Sequence, residues 1–249
     1  MEEDFFDAEE NIEEQLQQFL GNIPENFSIL EEEVDVDKQM EYFEMTKKRQ
    51  NSEGDFSFVE IENKIKDDEV SIDEKKQLLV ELAGIETAEV LRFLEKLKTE
   101  LKDTEIFDWI AMAYHENRML IESDLLEQNP VFISTGMGGK GRKLRYFAVL
   151  ISKNNDFSDS QEKLLKSELD YSAKNNNCEL ESVEVNGKYV LITLLIPIDS
   201  NIKNVFTAVI DECNLLGNFL DENFIVTNMK KLSIKEIEKF IEEGELGQE

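Results

Sequence analysis

The sequence holds few of the residues that build catalytic and metal centres. Its 249 residues include one histidine and two cysteines, whereas structural zinc sites draw their ligands from clustered Cys and His side chains. A Ser-His-Asp arrangement would have to use that single histidine, His115, and no serine lies in the Gly-x-Ser-x-Gly turn of the hydrolases. We therefore predict no catalytic residue, no metal ligand and no cofactor.

The surroundings of His115 do not suggest a metal site. Glu116 follows it, but the second histidine of a His-Glu-x-x-His motif is missing. We predict that His115 lies on a helix surface. Trp109, the only tryptophan, has Phe107 and Tyr114 nearby in the chain, and we predict that it packs in a core rather than lining a ligand site.

The cysteines are too few and too far apart to form a disulfide framework. Cys178 and Cys213 are predicted to be free thiols of a reducing compartment. The chain starts with acidic residues, unlike the basic start of an export signal. Its longest apolar run, Tyr189–Ile198, is about half the length of a membrane span. We predict a cytoplasmic protein with no membrane contact.

Basic residues are scarce and unevenly distributed. The chain has 27 Lys and Arg against 56 Asp and Glu, a net charge of −29. Residues 1–130 hold 37 of the acidic and 13 of the basic side chains, and residues 1–37 hold 14 acidic side chains with no basic one before Lys38. Phosphates repel such a chain. Composition therefore predicts a basic protein partner and no DNA.

The first half of the chain is predicted to be helical. Residues 1–52 are expected to form an acidic, partly disordered region, with a linker at Asn51–Gly54, and residues 53–130 a helical domain. Ser71-Ile72-Asp73-Glu74 is a capping box, in which the hydroxyl and the carboxylate each accept a backbone N–H. Short helices joined by tight turns resemble HEAT-type packing, which implies helix hairpins that bury one face on the next.

The second half, residues 131–249, is predicted to be an α+β domain. Val131–Thr135 is an expected extra N-terminal strand, and residues 143–229 then follow the order β-α-β-β-α-β of the ferredoxin-like fold. A C-terminal helix completes the domain. Asn186-Gly187 predicts a hairpin turn with positive φ at both residues. Gly217 is expected to end the second helix of this domain.

One predicted strand is apolar on both of its faces. Tyr189–Ile196 carries Val190 and Ile192 on one side and Tyr189 and Leu191 on the other. A half-exposed strand would alternate with polar residues. The sheet face away from the crossover helices must therefore be covered by the helical half, the C-terminal helix or a second copy in a homodimer.

A glycine-rich basic loop separates the first two strands of the second half. Glycine lets the backbone approach a ligand closely, and adjacent cations neutralise an anion. A Walker A motif is excluded because Arg142 stands at its lysine position and a strand follows. The predicted anion- or partner-binding residues are Gly136, Gly138, Gly139, Lys140, Gly141, Arg142, Lys143 and Arg145.

Three alternatives remain for that loop: a structural hairpin tip, a contact with RNA or a phosphorylated ligand, or a latch that docks on the acidic residues 1–37. For the whole chain, the leading hypothesis is a non-catalytic adaptor whose acidic surface binds a basic protein. The alternatives are a ligand- or RNA-contacting module that uses residues 136–145, and an enzyme that acts on a phosphorylated small molecule. The sequence itself names no partner or process.

Overall fold

A computed structural model describes residues 27–49, 57–126 and 131–246 of the chain. They form two compact units, one within Pro24–Gly136 and one within Met137–Glu249. We refer to these as the helical unit and the sheet unit. The mixture of helices and strands confirms the predicted α+β class. The linker predicted at Asn51–Gly54 lies outside the described residues, as do the first 26 residues of the chain.

The helical unit contains five helices and two short strands in its described part. In chain order they are β1 (Phe27–Ile29), α1 (Val36–Thr46), α2 (Phe58–Lys66), α3 (Ile72–Ala83), α4 (Ala88–Glu100), α5 (Phe107–Leu126) and β2 (Val131–Ile133).

Hydroxyl side chains fix where the central helices of this unit begin. Ser71 accepts the backbone N–H of Glu74 at 3.3 Å, and Thr87 accepts that of Val90 at 3.3 Å. Each bond satisfies a donor that has no partner inside its helix. The helices then bury their apolar faces in one core, whose fully buried members include Leu79, Leu82, Leu94, Leu97 and Ile110.

The strand predicted to open the α+β domain belongs instead to the helical unit. Val131–Ile133 pairs in parallel with Phe27–Ile29, and this two-stranded sheet is separate from the five-stranded sheet. The prediction of an extra N-terminal strand on the second sheet was therefore wrong. The pairing joins residues about a hundred positions apart, and short-range patterns contain no information about such a partner.

The segment just before the helical domain is packed, and not loose, over residues 27–49. Leu30 and Val34 are completely buried, and Tyr42 of α1 is 1% exposed. The Tyr42 ring lies 5.5 Å from that of Trp109, centroid to centroid, and Trp109 is buried as predicted. Tyr42 and Met45 of α1 therefore contribute to the same core as α3–α5, whereas Met40 is exposed.

The sheet unit alternates strands and helices. Its elements are β3 (Gly139–Lys140), β4 (Lys143–Ser152), α6 (Asp159–Asn175), β5 (Glu179–Asn186), β6 (Tyr189–Pro197), α7 (Ile202–Gly217), β7 (Leu220–Thr227) and α8 (Ile234–Leu246).

The five strands of this unit form one antiparallel sheet. Strand β4 pairs with β6 over Lys143–Ile151, and β6 pairs with β5. Strands β7 and β3 pair with β4 as well. Because β6 follows β4 along almost its whole length, β7 and β3 take the opposite edge of β4. The order across the sheet is thus β7–β4–β6–β5, with the short β3 beside the start of β4.

Both faces of the sheet are covered within the unit. Helices α6 and α7 pack on one face, which includes Ala148 and Ile192. On the opposite face, Ile237 of α8 joins the cluster of Phe147, Val149 and Tyr189. Of the three coverings considered for this face, the C-terminal helix is the one observed. A homodimer through the sheet face is not needed to explain the apolar strand.

Two turns differ in detail from their prediction. The hairpin between β5 and β6 turns at Gly187 and Lys188, since Asn186 already pairs with Tyr189. Only Gly187 has a positive φ, of 57°, where the prediction required it at Asn186 and Gly187. Helix α7 includes Gly217, and the left-handed residue that ends it is Asn218, with φ of 46°.

No helix in the described ranges combines the length and the apolar character that a membrane span needs.

Candidate functional site

The glycine-rich loop folds as an ordered β-hairpin, here called the basic hairpin (residues 136–145). Lys140 of β3 pairs with Lys143 of β4, and Gly141 and Arg142 form the turn between them. Gly141 has φ of +60°, and a Cβ at this position would meet no atom within 4 Å. Glycine is therefore required here for backbone conformation and not for space.

The hairpin places its cations on one face of the sheet. Lys140 and Lys143 are cross-strand neighbours, and side chains two residues apart on a strand share a face, so Arg145 lies beside them. Arg142 is exposed at the turn. Like charges directly opposite each other are destabilising unless a counter-charge lies near them.

Two carboxylates from strand β5 provide that counter-charge. Glu179 lies 2.8 Å from Nζ of Lys143 and 3.5 Å from Nζ of Lys140. Glu181 accepts two bonds from the guanidinium of Arg145, at 2.6 Å from Nε and 3.0 Å from Nη2. The remaining arm, Nη1, donates to the carbonyl of Met137 at 2.7 Å. The cations of the basic hairpin are therefore paired with carboxylates of β5, two strands away from β4.

The cations of the basic hairpin form an anion-binding site, and the carboxylates of Glu179 and Glu181 already occupy it. The hydrogen bond from Lys143 and its charge hold the pKa of the Glu179 carboxyl below its usual range. The paired guanidinium of Arg145 has the planar fork that fits a carboxylate or a phosphate equally well. Lys140 is 66% exposed at its side chain and can reach an external anion without rearrangement of the sheet.

The sequence predicted the cations of this site but missed its carboxylates. Glu179 and Glu181 stand two positions apart on β5, a spacing that places both on one face of a regular strand. That alternation was the available signal. This spacing identifies the partners of Lys143 and Arg145 only once the order of the strands is known, because that order places β5 near β4. In addition, a bulge between Leu180 and Ser182 changes the register of β5 locally.

A second polar site lies in the helical unit and was not predicted. His115 is 2% exposed, so the prediction of a helix-surface histidine was wrong. Its Nε2 lies 2.8 Å from the carboxylate of Glu32, which also accepts a bond from Lys98 at 2.5 Å. Burial would raise the pKa of Glu32, but the bonds and charges of His115 and Lys98 outweigh it and lower that pKa to about 2.

The residues after His115 on α5 continue this polar site. Glu116 accepts bonds from the hydroxyl of Tyr42 and, at 2.8 Å, from Arg49. Asn117 is completely buried and donates to the carbonyls of Ala83 and Ile85 at 3.0 and 2.8 Å. These hydrogen bonds connect the middle of α5 to Tyr42 and Arg49, in and just after α1, and to the turn after α3. Within this network, Nδ1 of His115 and Oδ1 of Asn117 are buried without a hydrogen-bond partner.

The two cysteines are free and buried in the sheet unit, as predicted. Over the described ranges, no three His, Cys, Asp or Glu side chains are grouped so that they could hold a metal ion.

Comparison with known proteins gave no family for the chain. No protein-family model matches it, and no curated protein matches it. One similar solved structure is described as a putative transposase from Deinococcus radiodurans R1. It is 21% identical, with a TM-score of 0.36, over 42% of this chain and 93% of its own. Another, a REP-associated tyrosine transposase bound to a REP hairpin, is 9% identical, with a TM-score of 0.32, over 40% of this chain and 63% of its own.

These neighbours contradict the functional predictions made from the sequence. One is described as a putative transposase and the other as a tyrosine transposase bound to a REP hairpin, whereas the sequence predicted a non-catalytic adaptor with a basic protein partner and no DNA. Those predictions were wrong and are not carried further. Likeness at these TM-scores assigns no activity to this chain.

The error has a physical source in the use of one net charge for the whole chain. Residues 1–130 account for most of the −29, whereas residues 137–249 hold 14 basic and 19 acidic side chains, a net charge of −5. The sheet unit by itself therefore repels phosphates less strongly than the charge of the whole chain suggests.

Proposed function

We propose that the sheet unit contacts the phosphate backbone of DNA through the basic hairpin. One observation carries the proposal: Lys140, Lys143 and Arg145 share a face, beside the exposed Arg142 at the turn. A row of charges along one face of the sheet suits a polyanion better than a single small anion. The proposal rests on this geometry and not on the structural neighbours.

We also propose that the sheet unit has the ferredoxin-like layout and that the helical unit packs as HEAT-like helix hairpins. The strand order β7–β4–β6–β5, antiparallel at every pairing, supports the first. Helices α3, α4 and α5, which share one core, support the second. The corresponding division is a helical domain followed by a sheet domain.

Contacts of this kind position a protein on DNA without reading its sequence. Lysine and arginine bonds to phosphate oxygens fix register and orientation, while base edges carry the sequence information. The affinity should fall steeply with salt, because each neutralised phosphate releases condensed counter-ions. The acidic helical unit adds a long-range repulsion that salt screens, so the net salt dependence must be compared between variants of the same full chain.

The test is a fluorescence anisotropy titration of the full chain with a labelled DNA stem-loop at low ionic strength. Lys140→Glu and Arg142→Glu are each compared with Lys188→Glu, an exposed lysine in the turn between β5 and β6. All three substitutions change the net charge equally. We expect the two hairpin variants to bind about three- to tenfold more weakly than wild type, and Lys188→Glu to change binding by less than about twofold.

Several results would overturn the proposal. One is wild-type protein that does not bind the DNA stem-loop at low salt. Another is a loss of binding in Lys188→Glu equal to that in Lys140→Glu, which would indicate a general charge effect. A third is an RNA stem-loop of the same sequence that binds more tightly than the DNA, which would make RNA the ligand.

A further inference from the structure

We propose that Glu179 and Glu181 are built-in competitors that occupy the basic hairpin until DNA phosphates displace them. This inference rests on the proposed function and adds a regulatory step to the same site. In the free protein, the carboxylates of β5 bind the cations that DNA would contact. DNA binding is then an exchange of anions and not an addition to empty cations.

The contacts of Arg145 show why the exchange is chemically matched. Two of its nitrogens already hold the two oxygens of Glu181 side by side. A phosphate offers a similar pair of oxygens to the same fork. The third nitrogen stays bound to the carbonyl of Met137, which keeps the guanidinium in place while its anionic partner changes.

Glu179 gives the exchange its second contact. Its carboxylate lies between Lys140 and Lys143, within 3.5 Å of both. The side chains of Glu179 and Glu181 are 48% and 33% exposed, whereas those of their partners Lys143 and Arg145 are 16% and 15% exposed. Water and ligand therefore reach these pairs from the carboxylate side, and a phosphate must take the place of the carboxylate to contact the cation. Ion pairs whose carboxylates face water contribute little free energy, so the exchange of one anion for another costs little.

The pair of carboxylates also selects the kind of anion that can enter. A single phosphate must compete with a carboxylate that is tethered beside the cation at high effective concentration. A polyanion presents several linked phosphates, so that displacement of one carboxylate favours displacement of the next. The wild-type protein should bind DNA yet show little affinity for inorganic phosphate.

The experiment removes the competing charges and keeps the size of the side chains. Glu179→Gln, Glu181→Gln and the double variant are titrated with the labelled DNA stem-loop, with Glu184→Gln as the matched control. Glu184 is an exposed residue of the same strand, paired with Leu191. We expect the double variant to bind about three- to tenfold more tightly and with a salt slope steeper by about one to two. Glu184→Gln should stay within about twofold of wild type.

Thermal unfolding keeps the test independent of folding, because it checks that every variant is folded before its affinity for DNA is compared. Weaker binding in folded Glu179→Gln or Glu181→Gln would overturn the inference, because it would mean that the carboxylates position the cations for DNA.

The outcomes separate this inference from the proposed function. If Lys140→Glu loses binding while the glutamine variants match Glu184→Gln, the hairpin contacts DNA but the carboxylates do not compete, and the inference fails alone. If wild type and the glutamine variants all fail to bind DNA, the proposed function fails and the inference falls with it. Tighter binding of inorganic phosphate by the double variant than by wild type would support the competition directly.

Discussion

The substitution Glu32→Gln tests whether the polar network on α5 stabilises the helical unit through charge. Glu32 is 14% exposed at its side chain and bonds both His115 and Lys98. The amide of glutamine has nearly the same shape but cannot carry the negative charge. The variant therefore leaves the packing intact and leaves Lys98 without its ionic partner in a partly buried place.

The size of the effect follows from the pKa of Glu32. That pKa is lowered from 4.5 to about 2 in the folded protein, since the bonds and charges of His115 and Lys98 outweigh burial. At about 1.4 kcal/mol for each pKa unit, this corresponds to about 3 kcal/mol, which partial solvent screening reduces to about 2 kcal/mol. Because the folded pKa is the lower one, this stabilisation is present above the unfolded value of 4.5 and is lost as the pH falls toward 2.

The assay is urea unfolding followed by the fluorescence of Trp109. This residue is the only tryptophan of the chain and is buried in the helical unit, so its signal reports that unit selectively. We expect Glu32→Gln to unfold with about 2 kcal/mol less free energy than wild type near neutral pH, and the difference to shrink as the pH falls below about 4. Glu69→Gln, in the exposed turn between α2 and α3, is the control. A Glu32→Gln variant as stable as Glu69→Gln, or a difference independent of pH, would refute the reasoning.

Two further predictions concern buried polar groups. Asn117→Ala removes the amide that donates to the carbonyls of Ala83 and Ile85, of which Ile85 keeps the N–H of Thr87 as a donor. The substitution should lower the free energy of unfolding by about 1–3 kcal/mol in the same assay; an unchanged value would show that water replaces the amide. Burial, with Glu168 and Glu212 nearby, raises the pKa of the Cys213 thiol to about 12. Cys213 should therefore react with maleimide far more slowly in the native protein than after unfolding. Peptide mass spectrometry locates the labelled cysteine. Equally fast labelling of Cys213 in both states would contradict its placement in the core.

Local sequence patterns predicted the elements that depend on nearby residues. At the predicted box of Ser71, the hydroxyl accepts the N–H of Glu74 as expected. The same local pattern begins α8, where Glu236 accepts the N–H of Ser233 at 2.8 Å. The strand from Tyr189 is apolar on both faces because α7 and α8 cover opposite sides of the sheet. In each case the controlling contacts are a few residues away or repeat along one strand.

Contacts between distant residues could not be predicted in this way. The partner of Val131 is Phe27, and no periodicity in either segment indicates the other. His115 stands in a polar stretch of α5 that resembles a solvated helix face, yet it is buried, and its Nε2 lies 2.8 Å from the carboxylate of Glu32, which is far away in the chain. The same limit applies to the basic hairpin, whose cations were evident while the carboxylates of β5 were not.

The most direct test of the account is the salt dependence of DNA binding by wild-type protein and by Lys140→Glu with Arg142→Glu. The account predicts that the double variant binds the DNA stem-loop more weakly at every low salt concentration, with a slope reduced by about two in a plot of log affinity against log salt. Parallel lines of equal affinity for the two proteins would show that the basic hairpin does not contact DNA, and would contradict the central claim.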